Sequence, residues 1–259
     1  MNTGRFNAAR VMRFTMGLLL HVAMSGAFAK DLVVFSGGAV KSALAPLAAA
    51  WEANSGHRVQ ITYAAAGDLR KRLADGERAD ILILPLENFA VLEKDGLLRA
   101  ATRRDLGAVG IGVAVKAGAK PFDISNEENF KRAMQDVKSL TYMDPARGTS
   151  GKHFDEVVLP KLGLRDAVRA KAVLGEGGMI AEKVARGEVE IAIHQMTEML
   201  PVKGITILGP LPASLQKTTV YSGAIMQAAK SPAEAEELLV FLSGKESRAE
   251  FAAKGFSAP

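Results

Sequence analysis

The chain predicts an α/β fold of two doubly wound lobes, and three observations carry that expectation. Apolar, strand-like runs alternate with helical patterns from Asp31 to the end, the order of mainly parallel sheets covered by helices. Four of these runs end in clusters of tiny residues that open into helical patterns. Two long β-like runs, residues 106–116 and 218–227, stand where a chain can leave one lobe and return to it. The resulting division is residues 30–109 with 218–259 as the first lobe and 110–217 as the second.

The elements follow in order. After the first strand, Leu44, Leu47, Ala48 and Trp51 keep the i, i+3, i+4, i+7 spacing of one helix face. Asn54-Ser55-Gly56 stops that helix, and residues 58–63 alternate as a strand. A short helix spans 67–74, and DILIL at 80–84 is a continuous apolar run, as in a strand buried on both faces. Residues 87–94 read as a helix ended by Gly96. The glycine-rich run LGAVGIGVAVK at 106–116 is the first crossing.

In the second half, Ser125 or Asn126 caps a helix to Asp136. A strand at 140–143 leads to a helix at 152–162, a strand at 171–174 to a helix at 179–186, and VEIAI at 189–193 is another strand. The run 218–227 returns the chain. Ser231-Pro232 then opens a helix over 233–242, and a last helix over 245–254 ends at Gly255.

Residues 1–29 have the form of a cleavable export signal. Arg5, Arg10 and Arg13 precede an apolar stretch (FTMGLLLHVAM, 14–24), and Ala27-Phe28-Ala29 is a small-x-small cleavage site. The stretch is shorter than the ~20 residues of a membrane-spanning helix. The expected product is a periplasmic, secreted protein. Setting the three leader arginines aside leaves 30 basic against 28 acidic side chains. That near balance, with no basic run interleaved with aromatics, gives no argument for nucleic acid. The chain has no cysteine, which excludes a lipid-modified cysteine, a disulfide framework and thiolate chemistry.

The four clusters carry the functional reading. They are Ser36-Gly37-Gly38-Ala39, Ala64-Ala65-Ala66-Gly67, Arg147-Gly148-Thr149-Ser150-Gly151 and Gly175-Glu176-Gly177-Gly178. Small residues let a ligand approach the backbone, and a helix start offers unpaired N–H groups and partial positive charge. In doubly wound sheets the ligand lies beyond the carboxyl ends of the strands. Two lobes place all four clusters on one crevice suited to a small anion.

Several stretches then resemble a known family. They include the helix end Trp51-Glu52-Ala53-Asn54-Ser55-Gly56, then Gly67-Asp68-Leu69 and Gly76-Glu77-Arg78-Ala79-Asp80-Ile81. The closing Phe241-Leu242-Ser243-Gly244-Lys245-Glu246-Ser247 and Phe251-Ala252-Ala253-Lys254-Gly255-Phe256 complete the set. From Asp31 onward the chain resembles the type 2 periplasmic solute-binding proteins, most closely their molybdate-binding branch. The resemblance implies a type 2 periplasmic-binding-protein fold that closes on a solute and is recognised by an inner-membrane ABC permease. It implies no enzymatic chemistry and no cofactor. A monomer is expected.

That family's oxyanion site draws on hydroxyls and backbone N–H groups of the turns. Here the first turn keeps Ser36, the second has only alanines, and the third carries Thr149 and Ser150 behind Arg147. Where molybdate binders tend to have a tyrosine, the chain has His194-Gln195-Met196-Thr197. The expected ligand contacts are Ser36, Gly37, Gly38, Ala65, Ala66, Arg147, Thr149, Ser150, Gly178, His194 and Gln195. Arg147 has the planar fork that holds a carboxylate bidentately. His194 can donate to an anion or serve the structure, and Lys41 and Lys152 follow turns closely enough to add positive potential. These features lean toward a small organic carboxylate, with molybdate or tungstate as the alternative. A periplasmic sensor or scaffold that does not transport is a further one. The histidines lack metal-ligand spacing, and no catalytic metal or nucleophile motif is present.

Overall fold

The computed structural model describes residues 29–259. Apart from Ala29, the expected leader lies outside the described residues. The strands are β1 (Asp31–Gly37), β2 (Arg58–Ala64), β3 (Ile81–Pro85), β4 (Arg104–Val109), β5 (Ile111–Lys116), β6 (Leu140–Met143), β7 (Ala172–Gly175), β8 (Ile191–Gln195), β9 (Ile205–Pro210) and β10 (Thr219–Ile225). The helices are α1 (Lys41–Ser55), α2 (Ala66–Ala74), α3 (Phe89–Lys94), α4 (Glu127–Asp136), α5 (Thr149–His153), α6 (Leu159–Leu162), α7 (Arg165–Arg169), α8 (Glu182–Ala185), α9 (Met196–Met199), α10 (Pro232–Ser243) and α11 (Lys245–Ala253). None of the helices described is long and apolar enough to cross a membrane.

Two five-stranded sheets form two α/β lobes, in the orders β2-β1-β3-β10-β4 and β7-β6-β8-β5-β9. The sheets are mixed rather than mainly parallel. β1 pairs in parallel with β2 and β3, but β10 enters antiparallel between β3 and β4. Likewise β6 is parallel to β7 and β8, while β5 runs antiparallel to β8 and β9. The reversed strands are those that arrive from the other lobe, so each sheet takes its crossing strand head-on.

Each sheet is covered on both faces. In the first lobe Leu44, Leu47 and Trp51 of α1 pack with Leu238, Leu239 and Leu242 of α10 on one face, and Leu69 and Phe89 cover the other. Burying a leucine of this kind contributes about 1.5–3 kcal/mol. β3 is buried along its whole length, which is why its sequence shows no alternation. Asp80, just before β3, is buried and accepts from three backbone N–H groups, those of Val33 at 2.9 Å, Lys230 at 2.6 Å and Ser231 at 3.2 Å. One carboxylate thereby ties β1 to the start of α10, and Ser231 makes no side-chain cap of its own.

The second lobe holds a buried charge. Asp155 sits fully buried in the π-helical turn Phe154–Val158 that joins α5 to α6. It accepts from Tyr142 at 3.0 Å, Arg165 at 2.9 Å and Arg169 Nε at 2.6 Å. Burial pushes its carboxyl up, but Arg169, Arg165 and Tyr142 outweigh that and hold it below the usual carboxylate range.

The long run 106–116 is two strands. β4 ends at Val109 in the first sheet and β5 begins at Ile111 in the second, with Gly110 between them. The side chain of Gln216, on the returning segment, accepts from Ile111 N and donates to Ile111 O, each at 2.8 Å.

Candidate functional site

Beyond the carboxyl ends of β1, β2, β6 and β8 the lobes enclose a cavity of about 620 Å³, a size that suits a small-molecule ligand. All four small-residue turns reach its wall, through Gly37 and Gly38, Ala65 and Ala66, Thr149 and Ser150, and Gly178. His194 and Gln195 join them at the end of β8. A wider, more open groove of about 1130 Å³ lies alongside and shares Ala66, Gly148 and Thr149 with it. The smaller cavity collects the turns, so it is the candidate site.

Two expected contacts lie elsewhere. Ser36 is fully buried within β1, in register with Tyr63 and Ile83, and its Oγ donates to the Gly37 carbonyl at 3.1 Å. β1 runs two residues further than its apolar pattern, to Gly37, which turns Ser36 into a strand residue. Arg147 lines the outer groove and not the cavity. Its fork is taken by the protein's own carboxylate. Nε lies 3.2 Å from both oxygens of Asp68 in α2, and Nη2 lies 2.8 Å from Oδ2.

This pair joins the two lobes at the rim of the crevice, next to a backbone bond from Gly67 N to Arg147 O at 3.0 Å. Gly67 is needed there, because a Cβ would meet Ala146 O at 3.0 Å and Arg147 Cα at 3.2 Å. An ion pair one-third exposed on each side is worth roughly 0.2–1 kcal/mol. Arg147→Ala is therefore expected to weaken ligand binding only about two- to five-fold in calorimetric titration. A direct carboxylate contact would cost on the order of tenfold or more.

The site also contains groups that the sequence pattern does not single out. Ser42, Tyr63 and Thr197 line the cavity, and the hydroxyl of each is buried without a hydrogen-bond partner among the described residues. Burial pushes the Tyr63 phenol up to about 12, so it stays a donor at neutral pH. Lys41, already expected to add positive potential, is the one lysine or arginine on the wall among the described residues, its Nζ 5.5 Å from the Tyr63 ring centre. Tyr221 of β10 donates to Gln195 Oε1 at 2.8 Å and bonds the lobes across the cavity. Burial and the charge of Glu198 push that phenol well above its ordinary range. One tyrosine expected after β8 is thus absent, while two others reach the cavity from the first lobe. The signal for Tyr63 was available: it ends an alternating strand immediately before a small-residue turn.

His194 is buried and faces two partners. Its Nδ1 lies 3.1 Å from Ser150 Oγ, and its Nε2 lies 3.1 Å from Glu198 Oε2 without hydrogen-bond alignment. Glu198 belongs to α9 of the second lobe, yet it leans into the first-lobe turn. A Cβ on Gly38 would fall 2.5 Å from Glu198 Oε1. The Gly38 turn therefore already faces a carboxylate.

Comparison with known proteins agrees with this architecture. A family model described as bacterial extracellular solute-binding protein matches residues 32–257. The chain belongs to that family. An aconitate isomerase of Pseudomonas sp. is 33% identical over 220 residues, 83% of each chain. A Bacillus subtilis lipoprotein described as an ABC transporter substrate-binding protein, YvgL, is 28% identical over 233 residues, 88% of this chain and 86% of its own. Among solved structures, the Azotobacter vinelandii periplasmic molybdate-binding protein superposes with a TM-score of 0.74 at 20% identity, covering 88% of this chain and 99% of that one. The Mycobacterium tuberculosis sulfate-binding protein SubI gives 0.73 at 17% identity, covering 88% and 86%. These two likenesses show the fold: two α/β lobes of the type 2 periplasmic kind.

Proposed function

We propose that this solute-binding protein captures a small organic acid with more than one carboxylate, closes on it between the lobes and presents it, as a periplasmic monomer, to an ABC permease. The observation that carries the reading is Glu198 set against the Gly38 turn. A tetrahedral oxyanion seated in that turn would meet a carboxylate at contact distance, and like charges so close in a largely buried site are costly. An organic acid avoids the conflict by turning carbon toward Glu198 and its carboxylates toward Lys41 and the hydroxyls of Ser42, Tyr63 and Thr197. Gly37, Gly38, Ala65, Ala66, Thr149, Ser150, Gly178, His194 and Gln195 are the contacts on this reading, with Ser36 supporting from behind and Arg147 at the rim.

Thermal unfolding against a ligand panel tests it. Citrate, cis- and trans-aconitate, malate and succinate are compared with molybdate, tungstate and sulfate. A true ligand at a hundred times its Kd stabilises by about 2.7 kcal/mol. At least one of the acids is expected to raise the melting temperature, and the oxyanions are not. A shift with molybdate and none with the acids would return the protein to an oxyanion role.

A second reading is favoured by the isomerase relative together with the contacts of His194. On it the captured acid is aconitate, an unsaturated tricarboxylate, and the protein interconverts its isomers. Incubation with trans-aconitate followed by chromatographic assay of the cis form distinguishes turnover from capture.

A further inference from the structure

Ser150, His194 and Glu198 are each at least nine-tenths buried, and all three line the same cavity. A carboxylate in a cavity that receives acids weakens their binding, a cost that a role in handling the bound acid would explain. His194 stands between the other two, within 3.1 Å of each. Its Nε2 has no aligned partner among the described residues. The Tyr221 hydroxyl, also close to Glu198, is committed to Gln195.

We propose that Glu198, His194 and Ser150 form a proton relay that moves a proton between two carbons of the bound acid, with Glu198 removing it and Ser150 returning it. The proposal rests on the reading of the cavity as an organic-acid site and gives the isomerase reading its chemistry. Glu198 takes a proton from a CH₂ that neighbours both a carboxylate and a carbon–carbon double bond. The C–H electron pair becomes the new double bond, and the old double-bond pair takes a proton from the Ser150 hydroxyl at the far carbon. Ser150 recovers its proton from His194 Nδ1, His194 recovers one at Nε2 from Glu198, and the reverse shift or proton exchange with water returns His194 to its starting tautomer. One proton leaves and one returns, and no oxidant or cofactor is consumed. A relay with two ends suits this transfer, because the carbons that lose and gain the proton are different atoms. His194 touches neither and acts as the positioning residue between them.

The test follows trans-aconitate in D₂O by proton NMR, with binding measured calorimetrically on the same samples. Wild type is expected to incorporate deuterium at the CH₂ and to form the cis isomer. Glu198→Gln is expected to bind at least as well and to lose both processes by at least about 100-fold, within the usual range for general acid–base groups. Glu198→Asp, which keeps the charge, is expected to retain a measurable part of the exchange. Ser150→Ala and His194→Gln are expected to keep deuterium exchange while losing isomer formation, a split that a merely structural role would not produce. Wild-type binding without exchange overturns the relay and leaves the binding reading standing. Glu198→Gln with wild-type exchange, or Ser150→Ala and His194→Gln lowering both rates equally, also overturns it. Absence of binding overturns both readings together.

Discussion

Gly151→Ala is expected to lower stability by about 3 kcal/mol and to weaken ligand binding at least tenfold. The Cβ added there would lie 1.7 Å from the Met143 carbonyl oxygen and 3.0 Å from Met143 Cβ. The nearest atom is backbone, so no rotamer change relieves the clash. Either the end of β6 or the start of α5 must move, and α5 is the element that carries Thr149 and Ser150 to the cavity. Overpacking of a well-packed interior costs typically 1–3 kcal/mol, and a backbone clash belongs at the upper end. Gly148→Ala is the control. Its Cβ meets the side chain of the same methionine, which can turn aside, so a smaller loss is expected in both thermal unfolding and titration.

The second large effect is expected at Asp155. Removing one partner of a buried ion pair costs about 3–5 kcal/mol. The low end applies to Asp155→Ala, because the side chains of Arg165 and Arg169 are 40% and 47% exposed and stay solvated. The Tyr142 hydroxyl, by contrast, loses its buried acceptor. A loss of about 3 kcal/mol lowers the melting temperature of a chain this long by roughly 6–12 °C. The sign of the pH dependence follows from the lowered carboxyl pKa. The stabilisation is complete above the ordinary carboxylate range and is lost as pH falls through the folded-state value. Wild type and variant should differ most near neutral pH and converge in acid. A gap that stays constant down to pH 2 would show that Asp155 contributes shape rather than charge.

Much of the fold was legible because its signals are local. The stripe on α1, the Asn126 cap of α4 and the unbroken apolar run of β3 each follow from a few adjacent residues. β9 gave no such signal. It is a half-buried edge strand, held by pairing with β5 from far along the chain. The antiparallel entry of β5 and β10 is equally non-local, since it depends on where each crossing strand inserts. The site divides the same way. Small-residue turns can be read in sequence because only their backbone is needed. The partner of Arg147 cannot, because Asp68 is separated from it by 79 positions and the two meet only across the crevice. Glu198 was within reach, four residues from His194, but its approach to Gly38 depends on how the lobes sit together.

The clasp of Gln216 on Ile111 decides how the lobes can move. Two strands joining two bodies can flex separately, which would allow shear and twist as well as hinging. Here one amide holds both faces of the Ile111 backbone, and Met196 N adds a bond to Gly110 O at 3.1 Å. The connecting segments are thereby coupled into a single axle. Opening is therefore expected to follow rotation about that axle, so that a change at the crevice alters one angle between the outer surfaces of the lobes.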